Sequence, residues 1–255
     1  MTLARMFEAT KARNEIALIP YVTAGYPSLE ASFDFIAQAA DAGADAIEIG
    51  LPFSDPTADG PTIQFASHQA LESGFKTRAF LEALGATSAA CPLILMSYVN
   101  PLLALGSNAF KTLAKAGFSA AVIPDLADDQ ALSMSEEAAL AGIDLVLLVA
   151  PTSSDERLRI SGSRSRGFVY AVSVVGTTGA RRDPDPALPG FLGRIGAHTP
   201  LPVVAGFGLS HPSHVEAINE HADGVIVGSR LVDAIRQGED FAALFRSFKQ
   251  ATRRH

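Results

Sequence analysis

The chain has 255 residues, a formal net charge of −7 and a single cysteine, Cys91. The acidic balance argues against nucleic acid or an anionic membrane as partner, so an anionic ligand has to be held by local groups. One thiol forms no internal disulfide, which fits a reducing, cytoplasmic setting, and a lone Cys reads as a small buried apolar residue.

The opening stretch, Met1–Glu15, lacks the uncharged apolar run of a secretion signal. Its first part, Met1–Ala12, predicts a helix. A strand is expected over Ile16–Tyr21. Leu29–Ala42 follows as a helix with Phe33, Ile36, Ala37 and Ala40 on one face, and Ala46–Gly50 as a second strand. Two helices, Thr62–Gly74 and Thr77–Ala90, are expected before a third strand at Leu93–Tyr98. Helix Asn108–Ala116, strand Ala120–Pro124 and helix Asp128–Ala141 continue the alternation. The remaining strands are expected at Asp144–Ala150, Phe168–Val172, Pro202–Ala205 and Gly224–Val227, and a last helix at Phe241–Thr252. Glycines at 43, 117 and 142 follow three of the helices, where a left-handed residue ends the turn.

Each strand is a short apolar run, rich enough to be buried on both faces, as in a parallel sheet. The longest apolar run, around Val146–Ala150, is far below the ~20 residues of a membrane span. Eight strands alternating with helices predict a (β/α)8 barrel, a TIM barrel, as one domain over residues 1–255. Extra helices are expected at the N-terminus, after the second strand and at the C-terminus. A doubly wound sheet is the alternative, but no Gly-rich dinucleotide loop follows the first strand.

In such a barrel the site lies at the C-terminal strand ends. If Ile47 and Ile49 face the helices, then Ala46, Glu48 and Gly50 face the interior. A carboxyl there loses hydration, and its pKa rises toward neutrality, as acid–base work requires. A structural Glu paired with an interior base is the other reading, although no Lys or Arg stands near a strand end. The loop LPFSDPTADGPTIQ, residues 51–64, offers Asp59 or Asp55 as a second carboxylate. Its prolines stiffen it, and either Asp could equally serve the turn. GTTGA (176–180), GFGLS (206–210) and Gly228-Ser229 bring small residues to the late strand ends, where backbone N–H groups can meet an anion. The histidines, including His211 and His214, form no metal-ligand pattern and read as surface or packing residues. The residues alone leave isomerase, aldolase and lyase chemistry open.

EIGLPFSDPTADGPTIQ (48–64) closely resembles the signature of the tryptophan synthase alpha chain family. The likeness continues through PYVTAGYP (20–27), SYVNPL (97–102), IPDL (123–126), LVAPTSSDERL (148–158), YAVSVVGTTGAR (170–181), GFGLS (206–210) and VGSRLV (227–232), in family order. The resemblance implies a lyase of tryptophan biosynthesis that splits indole-3-glycerol phosphate into indole and glyceraldehyde 3-phosphate. It implies Glu48 as acid/base, and Asp59 as the carboxylate that binds the indole N–H. Tyr170, Thr178, Phe207 and Tyr21 would contact substrate. Gly179, Gly208, Gly228 and Ser229 would hold the phosphate.

The resemblance also implies a beta chain as partner in an α2β2 assembly, touched by Pro52, Asp55 and Asn100. Pyridoxal phosphate would belong to that beta chain, with no cofactor or metal in this one. A subunit that mainly binds and activates the beta chain is the alternative. A Schiff-base aldolase is a further one, but it would need a lysine near a strand end. Val174 and Val175 depart from the polar residues common in relatives, Tyr21 from a frequent Phe, and Thr57 from an apolar residue. Ser173–Pro186, with Gly176, Gly179, Arg181 and Arg182, is expected to be a mobile lid.

Overall fold

The structure is a computed structural model that describes residues 1–87, 89–172, 186–206 and 208–254. In chain order the elements are α1 (Leu3–Ala12), β1 (Ala17–Thr23), α2 (Leu29–Asp41), β2 (Ile47–Gly50), α3 (Pro61–Glu72), α4 (Thr77–Gly85), β3 (Leu93–Met96), α5 (Val99–Leu103), α6 (Ala109–Lys115) and β4 (Phe118–Val122). They continue as α7 (Asp128–Leu140), β5 (Asp144–Val149), α8 (Asp155–Arg164), β6 (Val169–Val172), α9 (Leu188–Gly196), β7 (Val203–Gly206), α10 (Pro212–Glu216), β8 (Gly224–Val227), α11 (Ser229–Gln237) and α12 (Phe241–Ala251). The strands close in order into a barrel in which each pairs in parallel with its neighbours and β8 returns to β1. The expected (β/α)8 barrel is therefore the fold, with α1 ahead of β1 and a second helix after each of β2, β3 and β8 as its additions; the extra helix after β3 was not expected.

Side-chain alternation divides the apolar residues into two clusters. Leu18, Val22, Ile47, Ile49, Leu93 and Leu95 pack outward against the helices. Ala17, Ile19, Tyr21, Ala46, Ile94, Met96, Val122, Val146, Tyr170, Val204 and Ile226 fill the interior. Helix α1 closes the N-terminal end: Leu3, Met6 and Phe7 join the interior cluster, and the Phe7 ring meets Phe168 edge-on at 6.1 Å. The seam between the chain ends is ionic. Asp45 receives Arg13 Nη2 at 2.6 Å, Lys249 Nζ at 2.7 Å and the Leu18 N–H at 2.8 Å.

Several boundaries differ from the sequence expectation. β1 runs on to Thr23 because Val22 and Thr23 pair with Ile49 and Gly50. β3 stops at Met96, and Tyr98 is already the residue that opens α5. β4 covers Phe118–Val122 rather than Ala120–Pro124; its register with β3 shifts between Leu93 and Ile94, and Pro124 has no N–H to give a ladder. Helix α4 ends at Gly85, five residues before the expected Ala90. Gly43, Gly117 and Gly142 take φ of +94°, +96° and +77°, the left-handed turn expected after helices. Cys91 is buried, and burial pushes its thiol up to about 11. Among the described residues no helix is long and apolar enough to cross a membrane, and no three His, Cys, Asp or Glu side chains converge as a metal-holding group.

Candidate active site

Glu48 is the second residue of the four-residue strand β2 and points inward, beside Tyr21 of β1 and Ile94 of β3. It is 1% exposed, and its Oε1 has no hydrogen-bond partner among the described residues. Among the described residues no interior base sits against it to make it a structural ion pair. Burial first, and the nearby Asp59 charge second, raise its carboxyl to about 8. At neutral pH Glu48 is therefore protonated and holds a proton it can deliver.

The loop after β2 brings Asp59 over the same interior. Asp59 N–H donates to the Pro56 carbonyl at 3.1 Å, and Gln64 Nε2 donates to the Asp59 carbonyl at 2.9 Å. Tyr98, at the end of the β3 segment, accepts the Ala58 N–H at 3.0 Å and hydrogen-bonds the Asp59 carboxylate. The Phe53 ring lies 5.2 Å from the Tyr98 ring and steadies it. Asp59 is 7% exposed; burial raises it to about 6, and the Tyr98 bond works against that rise. Asp59 is thus ionised at neutral pH, facing a protonated Glu48. Of the two aspartates the sequence offered, Asp55 is exposed and takes a hydrogen bond from Ser54, so the inward role falls to Asp59.

Tyr21 and Tyr170 form the walls. Both are buried, and burial holds both phenols well above their ordinary value, so they stay neutral. Each ring lies over the end of the neighbouring strand, Tyr21 over β2 and Tyr170 over β7, because Gly50 and Gly206 have no side chain. A Cβ at Gly50 would collide with the Tyr21 hydroxyl, and one at Gly206 with that of Tyr170.

One cleft contains Tyr21, Glu48, Asp59 and Tyr170 at one end and Gly208, Gly228 and Ser229 at the other. Gly228 precedes α11, whose N-terminus has no side-chain cap and so presents its N–H groups and positive dipole end to the cleft. Ile63, Met96 and Ile226 supply apolar wall between the two ends. A broader concavity at the N-terminal strand ends, lined by Lys11, Asp144 and Arg166, holds none of the expected site residues.

Seven of the expected ligand-contacting residues thus meet in one cleft. Thr178, Gly179 and Phe207 lie outside the described residues, as do Val174, Val175 and the expected lid up to residue 185. Pro52 is buried, whereas Asp55 is exposed on the loop after β2 and Asn100 is exposed on α5, the short helix after β3. His214 is buried, with its ring 5.5 Å from that of His211 and its Nδ1 accepting the Ser210 N–H at 3.4 Å, a packing role. Sequence reasoning missed Tyr98. Its signal was a hydroxyl-bearing aromatic in SYVNPL, just past the end of an inward-facing strand.

The family described as "Tryptophan synthase alpha chain" has a sequence model that matches residues 7–253. The chain is 41% identical over 239 residues to the tryptophan synthase alpha chain of Roseiflexus castenholzii, covering 92% of each. It is 40% identical over 255 residues to that of Thermosynechococcus vestitus, covering 98% of this chain and 96% of the relative. A solved structure of Mycobacterium tuberculosis tryptophan synthase superposes with a TM-score of 0.92 at 39% identity, covering 99% of this chain and 98% of that one. The chain belongs to the tryptophan synthase alpha chain family.

Proposed function

We propose that the chain cleaves indole-3-glycerol phosphate by a retro-aldol reaction into indole and glyceraldehyde 3-phosphate, with Glu48 as the acid/base and Asp59 as its electrostatic partner. The observation that carries the role assignment is the pair itself. One carboxyl is held protonated by burial and another is held ionised by Tyr98, in a single cleft.

The phosphate sits at the start of α11, against Gly228, Ser229 and Gly208, where open N–H groups and the helix dipole favour an anion without a cluster of cations. Anchoring that remote end places the indole between Tyr21 and Tyr170. Asp59 accepts the indole N–H and stabilises the positive charge that grows on the ring, a preorganised contribution of about 3 kcal/mol in comparable sites. Glu48 gives its proton to indole C3. The bond from C3 to the glycerol chain then breaks, and its electrons return to the indole ring. The hydroxyl on the departing carbon loses its proton to the Glu48 carboxylate and becomes the aldehyde carbonyl. One proton enters and one leaves, so Glu48 ends as it began. No lysine is needed for this route, and none lines the cleft among the described residues.

The partner is a beta chain, which carries pyridoxal phosphate and receives the indole; this chain's own steps use side chains alone. Asp55 and Asn100 support this reading, since both stand exposed at the cleft end of the barrel. Leu103, on the same short helix as Asn100, is 59% exposed, an apolar side chain free for such a contact. The alternative, mainly a binding and activating subunit with weak or no lyase activity of its own, has no observation in its favour among the described residues. Incubating the purified chain with indole-3-glycerol phosphate, alone and with a beta chain, tests both. Indole released by the chain alone, and faster with the partner, is expected; no indole in either condition would overturn the lyase.

A further inference from the structure

The two ends of the cleft are tied together by a contact remote in sequence. Thr62 Oγ1 donates to Asp233 Oδ2 at 3.2 Å, across 171 residues. Thr62 lies in the first turn of α3, three positions after Asp59, and Asp233 lies on α11, which begins at the phosphate end. Both side chains line the cleft.

One further contact joins the same pair of helices, and one steadies Asp233 within α11. Arg236 stands 5.6 Å over the Phe65 ring of α3, and its Nη2 lies 3.0 Å from Asp233 Oδ1, near enough to pair in charge but off the hydrogen-bonding axis. An acidic side chain beside a dianion site is electrostatically unfavourable for binding. Its presence needs another reason, and the bond to Thr62 supplies one.

We infer that Asp233 and Thr62 are positioning residues that fix the separation between the phosphate anchor on α11 and the Asp59 carboxylate ahead of α3. The inference rests on the proposed reaction. Gln64 already joins the Asp59 carbonyl to α3, so a shift of that helix moves the carboxylate with it. Substrate spans the two ends and reacts only when both fit. A ligand that occupies one end does not sense their spacing.

The test measures kcat/KM for indole-3-glycerol phosphate in Thr62→Val, Thr62→Ser, Asp233→Ala and the Val/Ala double variant. Inhibition by glycerol 3-phosphate and by indole is measured beside it, with thermal unfolding as a check on folding. Thr62→Val and Asp233→Ala are each expected to lose roughly tenfold in kcat/KM, since small misplacements of reacting groups cost this much or more. The double variant is expected to fall no further than the worse single one, because both remove the same bond. Thr62→Ser is expected to stay near wild type, and both half-sized ligands to bind Thr62→Val within about twofold; Asp233→Ala, freed of a negative charge, is expected to bind glycerol 3-phosphate at least as well as wild type. If Asp233→Ala unfolds, the nearly isosteric Thr62→Val still decides. Unchanged kcat/KM in Thr62→Val, multiplying losses in the double variant, or parallel loss of glycerol 3-phosphate binding would overturn the inference. Absence of indole release from the wild-type chain would instead strike the reaction itself.

Discussion

The Tyr98 hydroxyl holds Asp59 from the side, accepting the Ala58 N–H at 3.0 Å while hydrogen-bonding the Asp59 carboxylate. That bond favours the ionised form and opposes the rise that burial causes. Tyr98→Phe removes it with little change in shape. Asp59 then titrates at higher pH, and a smaller share of it is ionised at neutrality. A loss of roughly tenfold in kcat/KM is expected, from one hydrogen bond to a charged group. The acid limb of the pH profile is expected to move upward. A pH–rate series on both proteins checks this, and an unmoved acid limb would count against the Tyr98 role.

The pair sets a working window. Cleavage needs Asp59 ionised, above about 6, and Glu48 protonated, below about 8. The profile of kcat/KM is expected to be bell-shaped with limbs near those values, which belong to the pair as a unit. The Asp59 charge is the second cause of the raised Glu48 carboxyl. Asp59→Asn therefore lets Glu48 ionise at lower pH. Its residual activity is expected to lose its alkaline limb earlier than wild type, and a limb that stays in place would refute the coupling.

The same carboxyl has a cost in stability. Glu48 rises on folding from 4.5 to about 8, so the folded chain binds this proton more tightly than the unfolded one. Its contribution is fully present below 4.5 and is lost as pH rises through about 8. Gln bears no such penalty. Glu48→Gln is expected to be more stable than wild type at pH ~8, by on the order of a few kcal/mol, with the gap shrinking toward pH ~5. Denaturant unfolding across that range measures it; a gap independent of pH would be inconsistent with a buried titrating carboxyl.

Gly50 is needed for space. Its missing Cβ is where the Tyr21 ring passes. Gly50→Ala is expected to destabilise by about 1–3 kcal/mol through overpacking and to displace Tyr21 from the cleft. Adding Tyr21→Leu should recover part of the lost stability but not the activity. Unfolding midpoints of the single and double variants decide.

Much of this was readable from local pattern. Period-two alternation turned Glu48 inward, and short apolar runs marked all eight strands, because burial on both faces demands them. The loop at 51–64 stood out by its prolines and acids. Local pattern left Asp55 and Asp59 level, since a turn aspartate and a buried one look alike in sequence; only the family resemblance pointed to Asp59, and the Tyr98 bond and the path of the loop give the physical reason. Tyr98 and the Thr62–Asp233 bond escaped for the same reason: each joins segments far apart in sequence, and no local periodicity records such a contact. Where strand ends moved, they moved by one or two residues, because ladder pairing, as at Thr23, decides where a strand stops.

The most direct measurement is indole release from indole-3-glycerol phosphate by wild type and Glu48→Gln, each shown to be folded by circular dichroism. With the proton donor gone and the cleft otherwise intact, a fall of about a hundredfold to ten-thousandfold in kcat is expected, with glycerol 3-phosphate binding retained. A Glu48→Gln chain that turns over at the wild-type rate would contradict the assignment of Glu48 as the acid.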